Sequence, residues 1–235
     1  MKELTCLIAA RLGSERVKNK MLRPFADSCL LEIALRKVLR SKHLSPARIY
    51  LSAYDEEIKA IGRKVGVQIY NRSEASTHEP VAPQVIWSYV NEIRGDHFIN
   101  INACNALLSV ETIDRAIEFY KKEPIRSLFS VVKRPNFFFD KESHLVNRFN
   151  GEEKYKRTIE TKMIEPLYEA AHSIYIWDAG FMRKEWAMWS FTKNDPYLFE
   201  IPIEESFDID YPWQFELAEA IYKQRRSSET HALSR

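Results

Sequence analysis

Short apolar runs alternate with stretches of helical periodicity through the first half of the chain. Residues 5–10 form one such run and read as a buried strand. From about Ser28, the positions Leu30, Leu31, Ile33, Ala34, Leu35, Val38 and Leu39 recur at the spacing of a single helix face. Ile49-Tyr50-Leu51-Ser52 predicts a second strand. Asp55 then marks the start of a helix carrying Ile58, Ile61 and Val65, which Gly66 stops. Val67-Gln68-Ile69-Tyr70 predicts a third strand leading into the polar loop 71–80. Helix is expected over 81–93, strand over 97–101 and helix again from Glu111 to near Lys122. Such alternation with short connections predicts an open, mostly parallel sheet covered on both faces: an α/β, broadly Rossmann-like fold.

The second half breaks this rhythm. Residues 125–132 predict a strand, after which 133–161 are polar and aromatic with little helical period. That stretch reads as an inserted arm of hairpins and loops. Its Phe137-Phe138-Phe139 is either core beneath a loop or a subunit contact. Strands follow at 174–177 and 198–201, a short helix at 183–188, and a last helix from Pro212 to about Arg225. The organisation expected is one domain over 1–226, with the arm at about 133–172, and a disordered polar tail over 227–235.

Composition narrows the function. With 235 residues, 45% hydrophobic and 29% charged, the chain has ordinary globular proportions. Its 35 basic and 33 acidic residues give a formal charge of +2, no electrostatic case for nucleic-acid binding. No apolar run nears the ~18 residues that span a bilayer, and the N-terminus lacks a signal-peptide layout. Cys6, Cys29 and Cys104 are odd in number and dispersed, as reduced core thiols of a cytoplasmic protein are. The six histidines show no metal-ligand spacing.

Three segments carry candidate chemistry. After the first strand comes Arg11-Leu12-Gly13-Ser14-Glu15-Arg16-Val17-Lys18-Asn19-Lys20, whose cations and backbone N–H groups suit a polyphosphate. It is neither a P-loop nor a dinucleotide-binding glycine turn, and a merely basic surface loop is the plain alternative. Asp208 and Asp210, two apart in an extended segment, project to one side and suit Mg²⁺. Alternatively one of them caps the helix that follows. Asn102 and Asn105 follow the fourth strand, at the sheet edge where α/β proteins bind ligands, and either read a base or ribose or simply form turns. Arg72, after the third strand, falls at the same edge.

The loop from Ala10 through Lys20-Met21-Leu22-Arg23-Pro24-Phe25 resembles the opening signature of cytidylyltransferases that make CMP-activated acid sugars. These are the acylneuraminate (CMP-sialic acid) enzymes, with CMP-Kdo synthetases and spore-coat polysaccharide proteins as relatives. The likeness continues through Tyr50-Leu51-Ser52 and Asp55-Glu56-Glu57-Ile58, and closes with Phe207-Asp208-Ile209-Asp210-Tyr211-Pro212. It covers residues 4–122 and 165–222. The resemblance implies a sheet of the nucleotide-diphospho-sugar transferase type with a dimerisation arm, and a homodimer built through that arm. It also implies reaction of CTP with an acid sugar, of a sialic-acid-like nonulosonate kind, to give a CMP-sugar and pyrophosphate. By position, Arg11, Ser14 and Lys20 would grip the CTP phosphates, Arg16 matches the Kdo-type enzymes, and Arg72 lies on the nucleotide side. Asn102 stands where a glutamine is usual, Asp208 and Asp210 match the magnesium pair, and Lys133 falls near a sugar-side lysine. Arg11, Lys20 and Asp210 are thus the expected catalytic groups. The chain departs from the sialic acid pattern at 102–108, where a Gln-Pro-Thr-Ser-Pro-Leu-Arg-like stretch is usual, at Met21 and at Ala170-Ala171-His172-Ser173. The alternatives are a degenerate, non-catalytic nucleotide-binding relative and a GT-A-type glycosyltransferase using the D-x-D.

Overall fold

A computed structural model describes residues 2–78, 80–150 and 159–233. Seven strands form one sheet in the order β5-β4-β1-β6-β8-β7-β9. They are β1 (Leu4–Ala9), β4 (Ile49–Ala53), β5 (Gln68–Asn71), β6 (His97–Ile101), β7 (Leu128–Arg134), β8 (Leu167–Asp178) and β9 (Tyr197–Glu200). Pairing is parallel from β5 through β6 and between β7 and β9, while β8 runs antiparallel to both its neighbours. The α/β, mostly parallel expectation therefore holds.

Alternate strand positions feed two cores. Cys6, Ile8, Ile49, Leu51 and Ile99 pack against the helices α1 (Leu30–Leu39), α2 (Glu56–Val65) and α5 (Val110–Lys122). Leu7, Phe98 and Trp177 face the opposite way, toward the single turn α4 (Tyr89–Glu92) and toward α6 (Ala179–Glu185), while the single turn α3 (Pro83–Ile86) has no buried residue. Burying each aliphatic or aromatic side chain of this kind contributes about 1.5–3 kcal/mol. A third cluster, with Phe25, Leu30, Ile209 and Phe215 at its centre, seats α7 (Pro212–Leu233) against the start of α1. Gly66 ends α2 at φ 88°, as its position predicts, and Cys6, Cys29 and Cys104 are free thiols.

Several boundaries differ from expectation. The helix over 81–93 is broken into α3 and α4, because residues 85–88 are β-branched, aromatic or Ser, poor helix formers, and the break turns Tyr89 and Val90 onto the sheet. The helix expected at 183–188 is α6, which starts earlier because the Asp178 carboxylate accepts from Phe181 N at 2.7 Å and ends where Trp186 turns left-handed. A two-residue hairpin, β2 (Pro24–Phe25) with β3 (Ser28–Cys29), precedes α1. β8 begins at Leu167, so part of the expected arm belongs to the main sheet; 151–158 of that arm lie outside the described residues. Of the triplet in the arm, Phe137 and Phe138 are half-buried and Phe139 is exposed. The expected tail is helical to Leu233, continuing α7; 234–235 lie outside the described residues.

Candidate active site

The carboxyl ends of β1, β4, β5 and β6 share one rim, so the loops that follow them converge there. Because β8 is reversed, its incoming half reaches the same rim, with Asn102 N donating to Ser173 O at 3.1 Å. A cavity of about 1120 Å³ opens at this edge. Arg11, Ser14, Arg16 and Lys20 line it from the loop after β1, Arg72 from the loop after β5, and Asp210 from the approach to α7. Two sequence-distant motifs therefore meet across one space large enough for a nucleotide.

The carboxylates are held unequally. Ile209 between them is fully buried against Phe25 and Phe215, which turns its two neighbours toward the rim. Asp210 Oδ1 accepts from the Arg16 guanidinium at 2.9 Å and lies 3.6 Å from Lys20 Nζ, while Lys20 also donates to Ile209 O. Gln214 Oε1 takes the backbone amides of Asp210 and Tyr211 at 2.7 and 2.8 Å, so that the Asp210 carboxylate is left to the two cations. Asp208 is more secluded: its Oδ1 is buried and has no hydrogen-bond partner among the described residues. Burial, then Asp210, pushes its carboxyl above the usual range, against the pull of Lys20, His172 and an Asn102 hydrogen bond. Both aspartates offer hard oxygens, and the unmet Asp208 oxygen fits a divalent cation.

The loops that form the cavity are tied to one another. Arg11 donates to Thr77 O, and Arg72 to Ser76 O and, at 2.8 Å, to Ser76 Oγ. Asp55, read from sequence as a helix start and as part of the resemblance, has no side-chain capping bond. Its Oδ2 instead accepts from Leu12 N at 3.1 Å and steadies the basic loop. Cys104 lines the cavity, but burial pushes its thiol up to about 11, away from nucleophilic use.

Three expected binding residues change role or place. Asn105 is 2% exposed, and its amide is used inside the protein: it donates to Ser173 Oγ and Glu205 O at 2.6 Å and accepts from Leu108 N at 3.2 Å. It builds the loop, and packing from distant segments draws it inward. Asn102 Oδ1 accepts from Cys104 N at 2.9 Å while its side chain also bonds Asp208, so it supports the carboxylate. Lys133 is exposed on β7, paired with Tyr168 of β8, and is not part of the cavity wall.

Two further groups stand beside Asp208. His172 occupies a left-handed backbone position (φ 51°) near the slip in β7–β8 pairing. Its Nδ1 lies 2.7 Å from Tyr175 Oη, and burial and the Asp208 charge push that phenol's pKa up. A non-glycine residue held at positive φ was the structural signal here, invisible in sequence.

Residues 5–233 match the family model described as cytidylyltransferase. The chain is 25% identical over 239 residues to the post-translational flagellin modification protein B of Campylobacter coli, covering 96% of this chain and 97% of that one. To N-acylneuraminate cytidylyltransferase A of Danio rerio it is 28% identical over 138 residues, 58% of this chain and 32% of that one. Among solved structures, a CMP:2-keto-3-deoxy-manno-octonic acid synthetase complexed with CTP superposes with a TM-score of 0.69 at 12% identity, over 95% of this chain and 100% of that one.

Proposed function

This chain belongs to the cytidylyltransferase family, and on that premise we propose that it couples CTP to an acid sugar of the sialic-acid-like nonulosonate class, releasing pyrophosphate. The observation that carries the reading is the meeting of Arg11, Arg16 and Lys20 with Asp210 at one cavity, with Asp208 within the electrostatic reach of Lys20 and Asp210. The acid-sugar class is supported by the N-acylneuraminate enzyme among its relatives, and the departures at 102–108 and 170–173 leave room for a different acid sugar.

The sugar's anomeric hydroxyl attacks the α-phosphorus of CTP: an oxygen–phosphorus bond forms, the hydroxyl proton passes to solvent, the bond from the α-phosphorus to the α,β-bridging oxygen breaks, and pyrophosphate leaves. Arg11 and Lys20 hold the departing phosphates, Ser14 and Arg16 orient the chain of phosphates, and Arg72 stays on the nucleotide side. Asp208 and Asp210 would hold Mg²⁺, which when bound supplies positive charge to the reacting phosphate. In-line displacement requires the sugar to enter opposite the pyrophosphate. Two copies pair through the arm that carries the exposed Phe139, and sedimentation showing only monomer would remove that part.

Pyrophosphate release with CTP, Mg²⁺ and a panel of acid sugars tests the reaction. Release that depends on one acid sugar supports it; binding of CTP with no release on any sugar refutes it. Among the described residues, no helix is long and apolar enough to cross a membrane.

A further inference from the structure

Lys37 lies on the packing face of α1 and is 9% exposed. Its Nζ donates to Ala106 O at 3.0 Å and Asn105 O at 3.3 Å, both in the loop after β6. That loop is held from two other directions. Arg225 of α7 donates to Leu107 O at 3.0 Å. Glu205 Oε2 accepts from Ser109 N and Oγ, each at 2.9 Å, and Glu205 O takes the Asn105 amide at 2.6 Å. Glu205 closes the turn Ile203–Glu205, three residues before Asp208, and Asn102 at the head of the loop bonds the Asp208 carboxylate. The loop and the segment carrying the acids thus share anchor points, and a buried cation sits among them. A hydrophobic side chain of similar volume would fill this space without the desolvation penalty of an ammonium.

We infer that Lys37 is a positioning residue for the candidate site: its ammonium fixes the backbone of residues 105–106 and, through Glu205 and Asn102, the aim of Asp208. The inference rests on the cytidylyltransferase reading above. Burial pulls the Lys37 pKa down to about 7; Glu205 opposes this, and Arg225 and Arg40 reinforce it. Among the described residues those three are the charged groups acting on it, from the turn, from α7 and from the residue that follows α1, while the loop offers carbonyls. The sign follows: the charged donor is present below about 7 and is lost as pH rises through that value.

The test is a Mn²⁺ titration of the CTP complex, followed by water-proton relaxation from about pH 6 to about pH 9, with melting temperature as the check on folding. Lys37→Met is expected to weaken Mn²⁺ binding roughly 10-fold or more at the acid end, the scale set by loss of an outer partner of a metal ligand. Its affinity should also lose the alkaline decline of the wild type, and Lys37→Arg should restore binding without that decline. Wild-type affinity in Lys37→Met, or equal losses in the Met and Arg variants, overturns the inference. Should Lys37→Met not fold, the wild-type profile decides, since affinity that does not fall above neutral pH also overturns it. A wild type that binds neither CTP nor Mn²⁺ refutes the parent reading instead.

Discussion

Asp208→Asn is the sharpest perturbation of the site, because function and stability should move in opposite directions. The wild-type carboxylate is buried, has one oxygen without a partner, and is repelled by Asp210. An asparagine keeps the shape and still leaves one polar atom unmet, so what it removes is the charge. An unmet buried polar group costs about 1–3 kcal/mol, more when charged, and relieving the charge contribution alone is worth on the order of 1 kcal/mol. For a domain of this size that is a rise of roughly 2–4 °C in Tm for metal-free protein near neutral pH. The linkage sign agrees. The unfolded carboxyl releases its proton near pH ~4, whereas the folded one holds it to higher pH. Across that window the folded state carries more protons, so stability falls as pH rises and the deficit is complete above the folded pKa. Asp208→Asn should therefore flatten this part of the wild-type stability profile. Scanning calorimetry in EDTA measures the stability, and pyrophosphate release should fall about 10²–10³-fold, as when one charge-stabilising group is lost. A variant that melts below wild type in EDTA, or keeps wild-type turnover, would refute the idea that Asp208 is left uncompensated for a cation.

Asp210→Ala should abolish turnover and leave the melting temperature close to wild type, because its pair with Arg16 is exposed; unchanged activity removes it from the metal-binding pair. Lys20→Met should raise the CTP dissociation constant or slow pyrophosphate release about 10²–10³-fold, and calorimetry unchanged together with kinetics unchanged takes the loop out of the site. Gly66→Ala should lower stability by about 1 kcal/mol, because alanine is strained at φ 88°, with activity untouched at a position remote from the rim; an unaltered denaturation midpoint contradicts this.

Much of the sheet was readable because each buried strand is a compact apolar run, as in 5–10 and 97–101. The first half of β8 was not, since nearly all its positions are exposed or half-buried beside a pairing slip and mimic a polar loop. The meeting of the two charged motifs was legible through resemblance, their local wiring was not. Asn105 looks like a ligand-reading amide by type, but Ser173 and Glu205, 68 and 100 residues away, decide its fate. Lys37 hides in the same way, a charged letter beside an apolar stripe whose buried partners belong to a loop about 70 residues on. His172 shows itself only through a backbone angle.

Arg16 and Asp210 stand 194 residues apart in the chain yet touch in the finished fold. A ribosome adding about 5–20 residues per second leaves roughly 10–40 s between the emergence of the two. Throughout that interval the cationic loop is already made but has no acidic counterpart, so the newborn polypeptide can assemble most of its sheet long before it can do chemistry.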